Sequence, residues 1–169
     1  MSYRVNGGGS REGAPSREVR IERWAARAFY ASPCRYFIDL PLDMTGSVIN
    51  AQRDAVAAGH ALLDGGAVYA TDTHYRGAIL VEIQPHRRFD ANVVALEGEF
   101  LSRQLPLKGV KLRTELDELV RWSLDLGLQV GGVYVQYEPD RGLVRPTGVF
   151  AALRGEESIL GEAGLSRGA

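Results

Sequence analysis

The stretch from Gly131 to Gly142 has a near copy from Gly66 to Gly77, and this repetition constrains the fold more than any other feature of the chain. Gly131, Val133, Tyr134, Arg141 and Gly142 each stand 65 positions after Gly66, Val68, Tyr69, Arg76 and Gly77. The same offset links Leu40-Pro41-Leu42 to Leu105-Pro106-Leu107, and Arg23-Trp24 with Ala26 to Arg88-Phe89 with Ala91. Marker clusters at the front, middle and end of one window, with no insertion between them, predict a duplicated unit. The alternative is that similar strand and turn chemistry was reached twice.

The chain has 169 residues and is 45% hydrophobic, enough for one compact domain or for two small halves sharing a core. A formal net charge of −1 gives no whole-domain attraction to nucleic acid or to an anionic membrane, and Arg87-Arg88 is too short to make a basic patch. Cys34 is the sole cysteine, which excludes an intrachain disulfide and fits a reducing compartment. No apolar run approaches the roughly 18 residues of a membrane span, and the N-terminus lacks a signal-peptide hydrophobic region. A cytoplasmic location is expected.

Residues 1 to 18 are rich in glycine and charge, and cannot bury enough apolar area to offset the entropy of ordering. A flexible arm is expected there, and a similar tail over 154–169. Between them lies one domain, 19–153, with a first repeat over about 19–84 and a second over about 85–153. Alternation from Val19 through Phe37 is strand chemistry, bent at Ser32-Pro33. After a turn at Asp43 to Gly46, Ser47 is placed to cap a helix running to Leu63 and stopped by Asp64-Gly65-Gly66. Strands over 67–73 and 78–84 complete the unit. The second unit repeats the order: a strand from Asn92 to Leu105, a helix capped by Thr114 and ended at Gly127, a strand from Val130 to Tyr137, and a last strand from Gly148 to Leu153. Two such units predict an α+β fold, one antiparallel sheet with two helices on one face and a groove at a pseudo-twofold axis.

Strand alternation sorts the side chains. Val68, Ala70, Val133 and Val135 should face the helices. Tyr69, Thr71, Tyr134 and Gln136 should face the groove. By the same test Leu96 and Phe100 point to the helices, leaving Glu97 and Glu99 beside the tyrosines. Two tyrosines and a carboxylate suit a flat or cationic ligand; tyrosines that merely cover a sheet face are the alternative. Trp24 reads as a packing residue, and Trp122, off the main helix stripe, as a residue of a partner surface or the groove rim. His60, His74 and His86 lack metal-ligand spacing. His60 has Asp64 as a pairing partner at i+4, and Asp72 with His74 finds no third ligand, so no metal is expected. Cys34 has no adjacent activating base and reads as an inert half-buried thiol. No dinucleotide-binding, P-loop or nucleophile-elbow pattern occurs, and no cofactor is expected.

Val19 to Phe37 with Leu40-Pro41-Leu42, and Asp125-Leu126-Gly127 leading into Gly131-Gly132-Val133-Tyr134, carry a resemblance to the gyrase-inhibitor-like domain. That family is also seen as the effector-binding half of multidrug-responsive transcription activators. Covering Val19 to Leu153, the resemblance implies a groove for organic, often aromatic or cationic, small molecules; some members hydrolyse reactive compounds. Family members often carry a buried glutamate just before the tyrosine of the second-repeat strand. Here its neighbours are Gly132, Val133, Val135 and Gln136. Three functions stay open: an effector-type small-molecule-binding domain without a DNA-binding motif of its own; a hydrolase with Glu99 as base and Tyr134 or Tyr69 as proton donor; and a module that inhibits a protein partner through an exposed sheet edge.

Overall fold

The computed structural model describes residues 2–3, 18–37, 40–41, 43–71, 76–85, 90–106, 111–140 and 143–154. The elements follow in the order β1 (Ser2–Tyr3), β2 (Val19–Phe37), β3 (Leu40–Pro41), α1 (Met44–Ala57), β4 (Val68–Thr71), β5 (Arg76–Glu82), β6 (Val93–Gln104), α2 (Leu112–Asp125), β7 (Val130–Asp140) and β8 (Leu143–Leu153). The order strand, helix, strand, strand thus occurs twice. Expectations for Asp72, His74, His86, Phe89, Leu107 and most of the arm and tail lie outside the described residues. Within the expected flexible arm, Ser2–Tyr3 pairs with Val19 and Arg20.

The sheet is antiparallel in the order β2-β5-β4-β7-β8-β6, and β6 pairs back onto β2. It therefore closes into a six-stranded barrel, where an open sheet with a groove was expected. Exchanging β2, β4 and β5 for β6, β7 and β8 returns the same order of neighbours. The uniform offset of 65 does not run through it, however. Tyr69 pairs with Leu80, and Tyr134 with Phe150, 70 positions after Leu80. Leu80 pairs in turn with Ala31, and Phe150 with Ser102, 71 positions after Ala31. Matching positions drift apart because the bulges and connections of the two halves differ.

Closure creates two cores. Outside the barrel, Val48, Ala51 and Ala55 of α1 and Leu116 and Leu119 of α2 pack on Ile79, Val81, Leu101, Val135 and Val149. Ala70 belongs to this core, and Val68 and Val133 pack against it, as alternation predicts. Inside, Phe29, Tyr69, Leu80, Phe100 and Phe150 form the second core, with Trp24, Leu96 and Tyr134 against it. The expectation that Leu96 and Phe100 point to the helices is overturned. Alternation along β6 is kept, but the face away from the helices has a core of its own, and the large rings fill it. Glu97 and Glu99 are consequently on the outer face, exposed, with Arg23 3.8 Å from Glu99.

The helix ends differ from the sequence reading. Asp43, not Ser47, caps α1, its Oδ1 accepting from the Gly46 N–H at 2.9 Å. The helix stops at Ala57, short of Leu63, and Leu62 instead bridges to Ile83. α2 begins at Leu112 after Lys111, with no side-chain cap from Thr114. His60 is buried and meets Asp90 Oδ2 at 2.8 Å, not Asp64.

Candidate functional site: the barrel interior and its lip

What a barrel of this size can hold depends on how its inward-facing residues fill it. Phe29, Tyr69, Phe100 and Phe150 are at most 3% exposed, so the centre is solid. Tyr69 meets Phe29 and Phe150 edge-on, at centroid distances of 5.6 and 5.5 Å. Gly148 makes room for this packing, since a Cβ there would lie 3.0 Å from the Phe150 ring. Around this centre the filling loosens. Trp24 stacks on Phe100 at 4.1 Å, and Tyr134 approaches Phe100 edge-on at 6.4 Å; both are half-buried.

Charged groups stand on the same inner surface. Arg27 makes a two-pronged bond to Glu82, 2.7 Å from Nε to Oε1 and 2.7 Å from Nη2 to Oε2. Its guanidinium lies 4.7 Å from the Trp24 ring centre and 5.3 Å from that of Phe29, the geometry of a cation held over aromatic faces. The Ala67 N–H donates to Glu82 Oε2 at 2.9 Å. Burial alone would raise the Glu82 carboxyl, but the Arg27 hydrogen bonds, the Ala67 N–H and the Arg27 charge outweigh it and hold the group below the usual range. The bond to Glu82 likewise raises Arg27, against its burial.

Glu22 is different. Its Oε2 accepts from the Trp24 indole N–H at 3.1 Å and its Oε1 from the Ser102 hydroxyl at 2.5 Å. Both donors are neutral, and no described basic side chain forms an ion pair with it. Taken together, Glu22, Glu82 and Arg27 carry one formal negative charge in excess. Burial raises the hydroxyls of Tyr69 and Tyr134, although Arg27 partly opposes this at Tyr69. Both phenols are therefore neutral donors at physiological pH.

The residues singled out in the sequence scatter over this geometry. Tyr69 and Tyr134 share the inner face, but Tyr69 is 2% exposed and part of the core, where an open groove residue was expected. Thr71 and Gln136 are half-buried on the inner face by alternation; the Thr71 hydroxyl accepts from the Ala78 N–H at 3.0 Å. Glu97 and Glu99 are on the other side of the sheet. Trp122 packs, half-buried, against the outer core. Cys34 is half-buried and also packs there. Among the described residues no group of three His, Cys, Asp or Glu side chains could hold a metal ion. No helix among them is long and apolar enough to cross a membrane.

Sequence reasoning missed Arg27, Glu82 and Glu22. For Glu82 a signal existed: on β5 it follows Ala78 and Leu80 along the face opposite Ile79, Val81 and Ile83. For Arg27 there was none, because a bulge decides its side.

No family model matches the chain, and no curated protein matches it in sequence. Among solved structures it is similar to the EcmrR C-terminal domain, at 11% identity and a TM-score of 0.57, over 82% of this chain and 98% of that one. At that identity the likeness shows a shared α+β fold.

Proposed function

We propose that the chain is an effector-type binding domain that takes a small aromatic cation at the lip of the barrel, with Tyr134 as stacking face, Glu22 as counter-charge and Trp24, its ring covered by Phe100 and Arg27, as the edge that positions Glu22. Gln136 and Thr71 are placed to orient polar groups of the ligand. The observation that carries this reading is the half-buried Glu22 carboxylate, bonded only to neutral donors, one of them the half-buried Trp24 indole. Such a carboxylate is better satisfied by a ligand cation over an aromatic face than by water. The gyrase-inhibitor-like resemblance implies the same ligand class, and the fold shared with the EcmrR C-terminal domain is consistent with it.

The other readings have less support. Glu99 and Tyr134 lie on opposite faces of the sheet, so a base and an acid at these positions cannot act on one bond. Barrel closure pairs β2, β5, β4, β7, β8 and β6 on both sides, which leaves only the two-residue strands β1 and β3 as sheet edges among the described residues, too short for an inhibitory module to use.

Tryptophan fluorescence tests the proposal. In a Trp122→Phe background Trp24 is the sole reporter, and titration with tetraphenylphosphonium should quench it saturably. Tyr134→Ala and Glu22→Gln should each weaken binding about tenfold, the size of one lost stacking or charge contact. Glu99→Gln should leave it unchanged. Equal affinity in the Glu22→Gln protein would remove the proposed counter-charge.

A further inference from the structure

We propose that the chain has a second small-molecule site on the outer face of the barrel, for an uncharged, mainly apolar molecule bearing one hydrogen-bond acceptor. Between α1, the connection at 62–67 and the strands beneath lies a cleft of about 470 Å³, within the range of sites for drug-sized ligands. Val48 and Ile49 of α1 form one wall and Leu62 and Leu63 the other, while Val68 and Val81 form part of the base. The cleft exists because α1 stops at Ala57, so the chain returns to the sheet as an open loop and leaves apolar surface between helix and loop. Ile49 is 58% exposed for this reason.

The feature that points to a ligand is Tyr137. Only 5% of this residue is exposed and it lines the cleft, and no described side chain or backbone group is bonded to its hydroxyl, which is not sealed from solvent and so is free to donate into the cleft. An acceptor entering the cleft would replace water on this hydroxyl while burying its own apolar surface against the cleft walls. Burial pushes the hydroxyl up to about 12, so it remains a neutral donor over the whole physiological range.

Charge fixes the ligand class. No lysine or arginine lines the cleft, so an anion would lose its hydration without compensation. Of the acidic residues there, Glu82 gives its carboxylate to Arg27 and the Ala67 N–H, and Asp64 is exposed to solvent. A buried cation would find no partner either. Val81 and Tyr137 face outward while their neighbours Leu80 and Gln136 face inward, so the cleft opens on the other side of the sheet from the rings of the interior, and Ala67 and Glu82 border both.

Nile red, which is uncharged and brightens on leaving water, is the probe for the full chain. Saturable binding of one dye per chain is expected. Gln52→Trp, which fills the cleft from α1, should weaken it at least tenfold, and Ile49→Lys, at an exposed position that tolerates charge, about fivefold. Tyr137→Phe should weaken it three- to tenfold. Glu22→Gln and Tyr134→Ala should bind within twofold of the parent, which separates this site from the proposed cation site. Circular dichroism confirms that each variant is folded before titration. Absence of saturable binding, or affinity that falls with the inner-face variants and is indifferent to Ile49→Lys and Tyr137→Phe, would overturn the proposal.

Discussion

Arg27 reaches the barrel interior through one extra residue. Trp24 pairs with Gly98 but Arg27 with Leu96, so β2 spends three steps where β6 spends two. Ahead of this bulge Glu22 and Trp24 face inward; beyond it the parity reverses, and Arg27, Phe29 and Ala31 do. Without it Arg27 would share the wet face with Arg23. The guanidinium then satisfies Glu82, and removing one partner strands the other. Glu82→Gln should cost about 2 kcal/mol at neutral pH, below the 3–5 of a fully buried pair because Arg27 keeps 30% of its side-chain surface in water. The sign of the pH dependence follows from the depressed carboxyl: its stabilisation is complete above the unfolded value, about 4.5, and is lost as pH falls through the lower folded value. Urea melts across this acid range should show parent and Glu82→Gln converging as pH falls. Parallel curves would mean that the pair adds no pH-linked stability.

Among the elements, β6 shows how far the sequence could be read. Its position and length were legible, because alternating apolar residues bounded by Asn92 and Leu105 admit little else. Which face was the better buried was not, because a pattern of period two marks two faces without ranking them, and only closure through β2 gives the second face a core. Helix capping failed for a related reason: Asp43, Ser47 and Thr114 are all competent caps by chemistry, and the chain's path into the helix chooses among them. The face assignment makes opposite predictions for neighbouring residues. Phe100→Ala should cost about 3 kcal/mol or more, as for large core rings. Glu97→Ala and Glu99→Ala should stay within about 0.5 kcal/mol, as exposed substitutions do, even though Arg23 is near Glu99. Gly98, at φ +102 within the same strand, is restricted for backbone reasons alone, and Gly98→Ala should cost about 1 kcal/mol. Comparable losses at Phe100 and Glu99 would reverse the two faces of β6.

For the whole molecule, the question is whether the two halves are independent. The sequence presented them as copies, and the pairing order is symmetric, yet neither half has a complete core. Phe29, Tyr69 and Leu80 come from the first half, and Phe100, Phe150 and Tyr134 from the second, and they meet in one interior. The halves are also joined along two seams, β4 with β7 and β2 with β6. Opening either seam would expose backbone groups of both strands and the rings behind them, so unfolding should be a single cooperative event. The chain carries its own reporters, with Trp24 in the first half and Trp122 in the second. In Trp122→Phe the fluorescence follows the first half, and in Trp24→Phe the second. Trp24→Phe should unfold more readily than Trp122→Phe, because it loses the indole stack on Phe100 and the N–H bond to Glu22. Within each variant, however, the fluorescence midpoint in urea should coincide with the midpoint of the far-ultraviolet circular dichroism. Separated midpoints, with one tryptophan released while half of the ellipticity remains, would show two units that fold alone and only dock, and the shared aromatic interior would then be a contact between domains and not a core.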